Sequence, residues 1–503
     1  MKNTDEIREA DAIVIGSGMG GMAGACMMTK HGLKVIVLEG AHVPGGCSSS
    51  YKRKGYTFES GATTLVGFDE YQPMKTLEQE LGITIKKKEL IPSMTVHLDD
   101  DVIVRHKDLN QWIENASKVF GNPNGQRRFW EVAYNVSKVI WKVSGKNIFF
   151  PPRKPMDWVK LATNNNPLDV PVLRYAFVSV REVMRDFGVD NPDFVRFIDE
   201  QLMITAQADS NSTPFIFGAA GLTYTNYSNY YIEGGLLKMV EQLQDWMEKR
   251  GSKVLCRQLV TNVKNENGNY LVTTEKGDEF TAPLVLSNIP IWNMSSIMQD
   301  KDIKQWFDEK SSRYDKAWGA FTMGVVCEDL FDDDITLHHQ IHLPKDSQIP
   351  IIGAKSIFIS MSERGDTMRS PDGMRTLNLS CHCNAEAWFE KGEVYDEHKA
   401  EVQDFILNYL HTHFPGFKKE AVTLAFSATP VTWQKWVNRK YGRVGGIPQE
   451  MGRSLIDWTP AETPMAGLFL CGDTVYPGQG IPGVTLGGIN VYYRIKQYLE
   501  SKN

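Results

Sequence analysis

The chain has 503 residues, of which 42% are hydrophobic and 23% charged, a composition typical of a globular protein with room for two or more domains. Its formal net charge of −6 excludes a general electrostatic affinity for nucleic acids, which requires a basic surface. The seven cysteines are scattered without zinc-binding spacing, so we expect reduced, mostly buried thiols and no metal site. The polar start MKNTDEIREA carries no signal core, and no apolar run reaches the about 18 residues of a membrane span.

The stretch from Asp11 to Gly46 predicts a dinucleotide-binding unit. An apolar strand, Ala12–Ile15, is followed by closely spaced glycines and by a helical run, Met22–His31. A second strand, Lys34–Leu38, then ends at the acidic Glu39. Strand, glycine turn, helix, strand and acid in this order form the context in which G-x-G-x-x-G indicates nucleotide binding.

Each conspicuous residue of this unit has a physical purpose. Gly16 permits the tight turn, Gly18 lets the backbone approach a pyrophosphate, and Gly21 lets the helix pack closely on the strand. The helix start presents N–H groups and a positive dipole end to the phosphates. Glu39 is placed to accept hydrogen bonds from the adenosine ribose.

A second glycine pair, Gly45–Gly46, resembles the flavin-binding members of this fold, in which it continues along the FAD pyrophosphate. The next stretch, Gly55–Thr64, predicts a strand that runs into a glycine turn. Such a turn would let a planar ring lie against the backbone; the alternative is an ordinary hairpin.

A second domain is expected to begin near residue 71. Pro73–Leu81 has helical spacing with Gly82 as its stop, and Met94–Arg105 predicts a hairpin that turns at residues 99–101.

The segment 127–160 is basic and aromatic. Val132, Val136 and Ile140 belong to a helical apolar stripe. It is either a domain helix with a solvated basic face or an interfacial element that inserts aromatic side chains among acyl chains; nucleic acid binding is a third option without a recognisable module. Its basic residues are Arg127, Arg128, Lys138, Lys142, Lys146, Arg153, Lys154 and Lys160.

Further helices are predicted at Val178–Phe187 and Pro192–Ala208. The small apolar run Phe215–Leu222 is suited either to core packing or to lining a tunnel. Short strands between residues 253 and 286 follow, and the last one, near Leu284, resembles a return to the nucleotide sheet. The nucleotide domain is therefore predicted to be discontinuous.

The rest of the chain mixes strands and helices. Strands are expected at Ala320–Val326, Ser356–Met361 and Thr376–Cys381, and a helix at Ala400–His413. The glycine-rich, aromatic stretch 429–449 is interpreted as a loop over a site.

The last motif is an apolar strand that ends in Gly472-Asp473, a glycine- and proline-rich loop, and a helix near Leu486. Asp473 can accept a hydrogen bond from a ribityl hydroxyl or lie beside the pyrophosphate, and the helix start can stabilise a reduced flavin ring. The alternative is an aspartate that caps a helix. With nucleotide-type units at both ends of the chain, FAD is the expected cofactor.

Together these motifs resemble the superfamily of carotenoid desaturases, carotenoid isomerases and retinol saturases, which is related in fold to the amine oxidases. The resemblance rests on four stretches: Gly16–Gly21, Pro44–Ser49, Gly55–Ala62 and Gly472–Val484. It implies an α/β fold in which a discontinuous Rossmann-type FAD domain carries an inserted, mixed α+β substrate domain. The expected boundaries are 1–70, 225–300 and 455–503 for the FAD domain, and 71–224 and 301–454 for the substrate domain.

Most residues expected at FAD lie in the stretches just named; Glu39, Thr63 and Val260 lie outside them. They are Gly16, Gly18, Met19, Gly20, Gly21, Glu39, Gly45, Gly46, Cys47, Ser48, Gly61, Ala62, Thr63, Val260, Gly472, Asp473, Gly483 and Val484.

Two positions depart from the pattern of the superfamily. Many relatives have an arginine that contacts the pyrophosphate where this chain has Cys47, and many have aspartate where Glu59 stands. Cys47 followed by serines resembles the isomerase and saturase branch, whereas Gly445–Gln449 resembles the desaturases.

The resemblance implies a flavin enzyme that acts on C–C bonds of a long polyene lipid, and we expect a carotenoid desaturase that transfers a hydride to flavin N5. The alternatives are a cis–trans isomerase or retinol saturase using reduced flavin, an amine oxidase, and a non-catalytic flavin- or lipid-binding protein. No protein base is obligatory; Glu233, His382 and Arg443 are candidates, with Glu233 or Arg443 expected at the flavin–substrate junction. A cytoplasmic enzyme held peripherally at the cytoplasmic membrane is expected.

Overall fold

The structure is a computed structural model that describes residues 8–99, 101–152, 154–314, 317–453 and 457–502. The strands are β1 (Arg8–Glu9), β2 (Ala12–Ile15), β3 (Val35–Leu38), β4 (Ser50–Arg53), β5 (Tyr56–Glu59), β6 (Lys88–Leu90), β7 (Met94–His97), β8 (Val102–Arg105), β9 (Asn229–Tyr231), β10 (Lys253–Leu255), β11 (Val260–Glu266), β12 (Asn269–Thr274), β13 (Glu279–Ala282), β14 (Leu284–Ser287), β15 (Trp318–Glu328), β16 (His338–His342), β17 (Ser356–Met361), β18 (Met374–Asn384), β19 (Val422–Ala428) and β20 (Leu468–Leu470).

The α-helices are α1 (Met19–Lys30), α2 (Pro73–Leu81), α3 (Leu109–Phe120), α4 (Pro123–Ser144), α5 (Pro155–Asn164), α6 (Val180–Asp186), α7 (Pro192–Thr205), α8 (Phe215–Leu222), α9 (Leu237–Glu248), α10 (Ile291–Ile297), α11 (Lys301–Ser312), α12 (Tyr395–His413), α13 (Pro430–Val437) and α14 (Ile481–Glu500). Short 3-10 helices lie at Gly46–Ser48, Pro167–Ala176, Tyr224–Asn226, Glu386–Trp388, Gly392–Val394, Lys419–Ala421 and Lys440–Gly442.

A parallel sheet with the strand order β10-β3-β2-β14-β20 carries the nucleotide motif. Helices α1, α9 and α14 pack on one face, and a second sheet, β1-β13-β12-β11, packs on the other. Coverage of both faces explains why β2, β3 and β14 read as unbroken apolar runs. All five strands fall within the segments 1–70, 225–300 and 455–503, and we retain that domain division as a proposal.

The first and last helices of this unit are in backbone contact. A Cβ at Gly488 of α14 would lie 2.2 Å from the carbonyl oxygen of Gly20 in α1. A Cβ at Gly24, one turn further along α1, would lie 2.7 Å from a methyl group of Leu286. Glycine at these positions therefore lets α1 pack against both the sheet and the C-terminal helix.

A mixed, seven-stranded sheet with the order β19-β15-β18-β17-β16-β7-β8 forms the second half of the molecule. Helix α12 packs on it through Val402, Ile406 and Leu410. Helices α3, α4, α6, α7 and α8 form a separate cluster around Trp112 and Trp130, both fully buried. The cavity described below lies between these helices, this sheet and the nucleotide-binding unit.

Most expected elements are confirmed at their predicted places. The helix Pro73–Leu81 with its Gly82 stop is confirmed, as is the 94–105 hairpin, although Asp100 at its turn lies outside the described residues. Helix α1 begins at Met19 rather than Met22, because packing overrides the poor helix propensity of Gly20 and Gly21.

Three expectations need correction. The stretch 429–449 is not all loop, since α13 occupies its first part. Helix α14 begins at Ile481, with Pro482 in its first turn, before the expected start at Leu486. Within 127–160, Phe129 and Trp130 are fully buried and belong to the core, so they do not insert into a membrane; Arg153 lies outside the described residues.

Strand β16, with the sequence HHQIH, was not predicted because it lacks apolar alternation, yet all five of its residues are buried. The Nε2 of His339 donates to the carbonyl oxygen of Thr336 at 2.8 Å, and its Nδ1 lies 3.1 Å from Nε2 of His97. Burial lowers the pKa of His339 to about 3 and the pKa values of His97 and His338 to about 4. These side chains are therefore neutral in the folded protein.

This cluster predicts that the protein loses stability on mild acidification. Below pH 6.5, the ordinary histidine pKa, the unfolded chain binds protons that the buried imidazoles cannot bind, so the free energy of unfolding falls as pH drops towards 4. His339→Asn should flatten this decline by up to about 1.4 kcal/mol per pH unit, measured by urea unfolding between pH 7 and 4. The exposed His413→Asn is the control, and equal slopes in both variants would contradict the assignment.

Candidate functional site

A single continuous cavity of about 2280 Å³ runs from the β2–α1 turn to helices α4, α5, α7 and α8 and to the face of β15, β18 and β19. Pockets for drug-sized ligands have volumes of roughly 300–1,000 Å³. The cavity is therefore large enough for a dinucleotide together with a second large ligand.

The β2–α1 turn forms one end of the cavity. Gly16, Gly18 and Gly20 lie on the wall, whereas Gly21 lies behind it. A Cβ at Gly21 would stand 2.4 Å from the carbonyl oxygen of Gly16, which is the close-packing role expected of this glycine. The Gly21 N–H donates to Oδ1 of Asn288 at 2.9 Å, so Asn288, not identified from the sequence, fixes the turn from β14.

Glu39 lies on the same wall at the end of β3. Its Oε2 accepts hydrogen bonds from the Ser17 backbone N–H at 2.9 Å and from the Ser17 hydroxyl at 2.5 Å. Its Oε1 accepts from the Ala41 N–H at 2.8 Å. These bonds hold the carboxylate towards the cavity, where the remaining lone pairs can accept ribose hydroxyls.

The second glycine pair lines the cavity next to the turn. Gly45 and Gly46 have φ values of +106° and +55°, which other residues adopt only with strain. Cys47 follows, and burial raises the pKa of its thiol. The predicted turn 61–63 packs on Cys47, because the Ala62 N–H donates to the Cys47 carbonyl oxygen at 2.8 Å.

The starts of helices α1 and α14 open on the cavity without a side-chain cap. Helix α1 has Gly18 and helix α14 has Gly480 at the N-cap, and neither helix has an acidic residue in its first turn. Their N–H groups and positive dipole ends are therefore available to an anion or an electron-rich ring. This glycine-lined cradle fits the diphosphate and ring of FAD.

With the exception of Gly21, every residue expected at FAD lies on the cavity wall. These residues are Gly16, Gly18, Met19, Gly20, Glu39, Gly45, Gly46, Cys47, Ser48, Gly61, Ala62, Thr63, Val260, Gly472, Asp473, Gly483 and Val484.

Beyond the cradle the cavity becomes an apolar chamber. The wall from α7 and α8 consists of Ile204, Thr205, Ile216, Phe217, Ala220 and Gly221. Phe358 and Phe426 close the sheet side. The small apolar run of α8 thus lines the chamber on one face, while Phe215 and Leu222 on the other face are fully buried in the core, so both interpretations of this run apply.

Two of the three candidate catalytic residues do not reach the cavity. Glu233 is exposed to solvent and does not line the wall. Arg443 is also absent from the wall; its Nε donates to Oε1 of Glu386 at 3.0 Å, and its guanidinium lies 5.0 Å from the Trp292 ring centroid. The expectation that either residue faces the flavin–substrate junction is therefore wrong.

His382 of β18 does line the cavity, among the side chains of the sheet. Burial lowers its pKa to about 4, so the imidazole is neutral and adds no charge to the chamber. Among the described residues, no group of three or more histidine, cysteine or acidic side chains is arranged to hold a metal ion.

Arg439 is a wall residue that sequence reasoning missed, because nothing distinguishes it from the other basic residues of 429–449. It follows α13, and its Nη2 donates to Oδ2 of Asp473 at 2.7 Å. Both side chains are mostly buried. The expected loop over the site thus reaches the cofactor end of the cavity.

This fold and site define a flavin-dependent oxidoreductase built on a dinucleotide-binding domain. Comparison with protein families supports this assignment: the family model described as "Flavin containing amine oxidoreductase" matches residues 19–495. The chain belongs to this family.

Relatives in sequence confirm the narrower resemblance to carotenoid desaturases, isomerases and retinol saturases. Prolycopene isomerase 2 from an Oncidium hybrid cultivar is 28% identical, over 98% of this chain and 84% of that protein. All-trans-retinol 13,14-reductase from Danio rerio is 22% identical over 92% and 82% of the two chains. The 4,4'-diapophytoene desaturase of Staphylococcus aureus (strain COL) is 20% identical over 93% and 95%.

Solved structures share the fold. Wild-type putrescine oxidase bound to putrescine aligns with a TM-score of 0.65 at 14% identity, over 98% of this chain and 100% of that one. A CLA-producing fatty acid isomerase from P. acnes aligns with a TM-score of 0.60 at 12% identity, over 97% and 98%. At such low identity the likeness concerns the fold alone.

Proposed function

We propose that this protein is an FAD-dependent enzyme that isomerises cis double bonds of a long polyene lipid. The observation that carries the proposal is the continuity of one cavity, in which the nucleotide cradle opens directly into an apolar chamber. Relatives named prolycopene isomerase, matched over 98% of this chain, favour isomerisation. Desaturation, which was expected from the sequence, is the second candidate and stays a prediction.

At the cofactor end of the cavity, different residues would bind the successive parts of FAD. Glu39 would bind the adenosine ribose, the α1 start and Gly45–Gly46 the pyrophosphate, and Asp473 the ribityl chain. The α14 start at Ile481 would face the ring. When bound, FAD supplies exchange of a hydride or electrons with carbon, and the chain itself supplies position and a favourable dipole.

The chamber would hold the polyene by burial of apolar surface. Ile216, Phe217 and Ala220 exclude water from one side, and Phe358 and Phe426 do so from the other. Because His382 is neutral and the α7–α8 wall carries no ionisable side chain, this part of the chamber offers no charged base.

Spectroscopy distinguishes the two candidates. A poly-cis carotene is incubated anaerobically with the purified holoprotein, once with oxidised and once with reduced FAD. We expect loss of the cis absorption band with reduced FAD and no change in conjugation length. A product that has lost two hydrogens by mass, formed with oxidised FAD, would contradict isomerisation and support desaturation.

A chamber variant links this activity to the cavity. Ala220→Trp should fill the chamber and lower turnover at least tenfold while FAD binding is unchanged, because Ala220 lies on the chamber wall. Ala400→Trp, on the exposed side of α12, is the matched control. If Ala220→Trp isomerises the polyene as fast as Ala400→Trp, the chamber is not the substrate site.

We also propose that the chamber mouth rests on a lipid bilayer. Trp158, Val170, Leu173 and Phe177 line the cavity and are at the same time 52% to 76% exposed. Lys146, Lys154 and Arg174 are exposed near them in the chain. The mouth therefore combines apolar side chains, which can enter the acyl region, with cations that can face anionic headgroups.

This surface shares Lys146, Lys154 and Trp158 with the expected membrane segment 127–160 and continues to Phe177. No α-helix in the described ranges is long and apolar enough to cross a membrane. The cytoplasmic location expected from the sequence stays a prediction.

Vesicle binding tests the proposed contact between the chamber mouth and a lipid bilayer. Serine at Leu168, Leu173 and Phe177 together should lower co-sedimentation with phosphatidylglycerol-containing vesicles at least tenfold, since these side chains are 83%, 52% and 76% exposed. Serine at Ile91, Leu330 and Val394, which are 69%, 50% and 40% exposed and lie elsewhere in the chain, is the control. Equal sedimentation of the two triple variants would refute the bilayer contact.

A further inference from the structure

The residue after the glycine pair Gly45–Gly46 is Cys47, so this part of the cradle that would bind the pyrophosphate carries no positive charge. Cys47 lies between the glycine pair and Ser48, where the resemblance places an arginine that contacts the pyrophosphate. Burial raises the pKa of the Cys47 thiol, so this side chain is uncharged at neutral pH. Glu39 and Asp473 on the same wall are acidic and would repel a pyrophosphate. A cation elsewhere on the wall would offset this repulsion.

Five basic residues among those described line the cavity: Lys52, Arg53, Arg439, Lys440 and Arg453. Arg53 stacks on Phe426 at 4.0 Å and Arg453 on Trp458 at 3.8 Å. Lys52 and Lys440 are exposed to solvent. Arg439 remains, with a side chain only 12% exposed.

The segment around Arg439 contacts both sides of the cradle. On the adenosine side, a Cβ at Gly40 would lie 3.3 Å from Nδ2 of Asn438. On the flavin side, a Cβ at Gly446 would lie 2.2 Å from the carbonyl oxygen of Asp473. In the part of the chain that the structure describes, Arg439 is also the basic residue whose charge acts on the Cys47 thiol.

The backbone on both sides of Arg439 is held by Asn293 of α10. Its Nδ2 donates to the Asn438 carbonyl oxygen at 2.8 Å, and its Oδ1 accepts from the Lys440 N–H at 3.2 Å. The Nε of Arg439 donates to the carbonyl oxygen of Arg443 at 2.5 Å. The guanidinium is thus held in place before any ligand binds, with one edge on Asp473.

From this arrangement we propose that Arg439 binds the FAD pyrophosphate in place of the arginine that is absent at position 47. The cation reaches the cradle from the chain segment after α13 instead of from the loop after the glycine pair. Arg439 neutralises Asp473 and directs its planar N–H fork at the phosphate oxygens, a geometry that lysine does not reproduce. This inference rests on FAD being the cofactor, as proposed above.

Equilibrium binding tests the role of Arg439 without any need for turnover. The flavin-free full-length protein is titrated with FAD and, separately, with ADP, which carries the pyrophosphate but no flavin. Arg439→Gln should raise both dissociation constants roughly 10- to 100-fold, the effect of losing a charge-assisted hydrogen-bond pair. Lys435→Gln is the matched control, since Lys435 belongs to the same segment, is exposed and lies off the cavity wall.

Two further variants distinguish a direct contact from neutralisation of Asp473. In an Asp473→Asn background, Arg439→Gln should still weaken ADP binding at least fivefold; if the effect disappears there, direct contact is refuted. Adding Cys47→Arg to Arg439→Gln should raise the affinity for FAD at least tenfold above that of Arg439→Gln alone. If Cys47→Arg alone binds FAD normally but the double variant shows no such recovery, residues 47 and 439 do not serve the same phosphate.

The remaining outcomes are equally decisive. If Arg439→Gln does not fold, Arg439→Lys is measured instead. ADP binding that is weakened at least threefold in Arg439→Lys supports the contact between the guanidinium and the phosphate. ADP binding equal to that of Lys435→Gln overturns this contact. Arg439→Gln within twofold of Lys435→Gln also overturns it. A wild-type protein that does not bind FAD would instead refute the proposed function itself.

Discussion

The site depends on one backbone contact between the two ends of the chain. Gly20 and Gly488 approach so closely that a Cβ at Gly488 would lie 2.2 Å from the Gly20 carbonyl oxygen. This contact aligns α1 with α14 and brings the uncapped starts of both helices to the same cavity. The proposed sites for the phosphates and the flavin ring, at these two starts, therefore depend on one packing constraint.

Glu59 joins this unit to the seven-stranded sheet by a hydrogen bond and to the segment before β18 by a buried ion pair. Glu59 of β5 contacts Nη1 of Arg369 at 3.1 Å and accepts a hydrogen bond from the Ser50 hydroxyl at 2.7 Å. Its backbone N–H donates to Asn378 of β18 at 3.0 Å. Arg369 and Glu59 are almost fully buried, so neither charge could lose its partner without a large penalty. Glu59, which stands where many relatives have aspartate, thus links the nucleotide-binding unit to the sheet that lines the chamber.

The cofactor end was predictable because its chemistry is local in sequence. Turn geometry and close packing require glycine at Gly16, Gly21 and Gly45. The spacing of these glycines is therefore visible in the sequence. The strands of the parallel sheet were equally readable, since burial on both faces produces continuous apolar runs.

What could not be predicted depends on contacts between distant segments. Asn288 and Arg439 acquire their roles through Gly21 and Asp473 respectively, and no local pattern records those pairs. Strand β16 is buried but made largely of histidine, so it carries no apolar period. Glu233 was misplaced because a polar residue beside a glycine pair predicts proximity to a turn, not the direction of its side chain.

A crystal structure of the holoprotein with a bound polyene would show whether the cofactor and the polyene share one cavity. We expect FAD density from Glu39 to the α14 start at Ile481, with the polyene running from the flavin ring past Ala220 towards Phe177. Polyene density confined to the outer surface, or FAD bound away from the α1 start, would rule out a shared cavity.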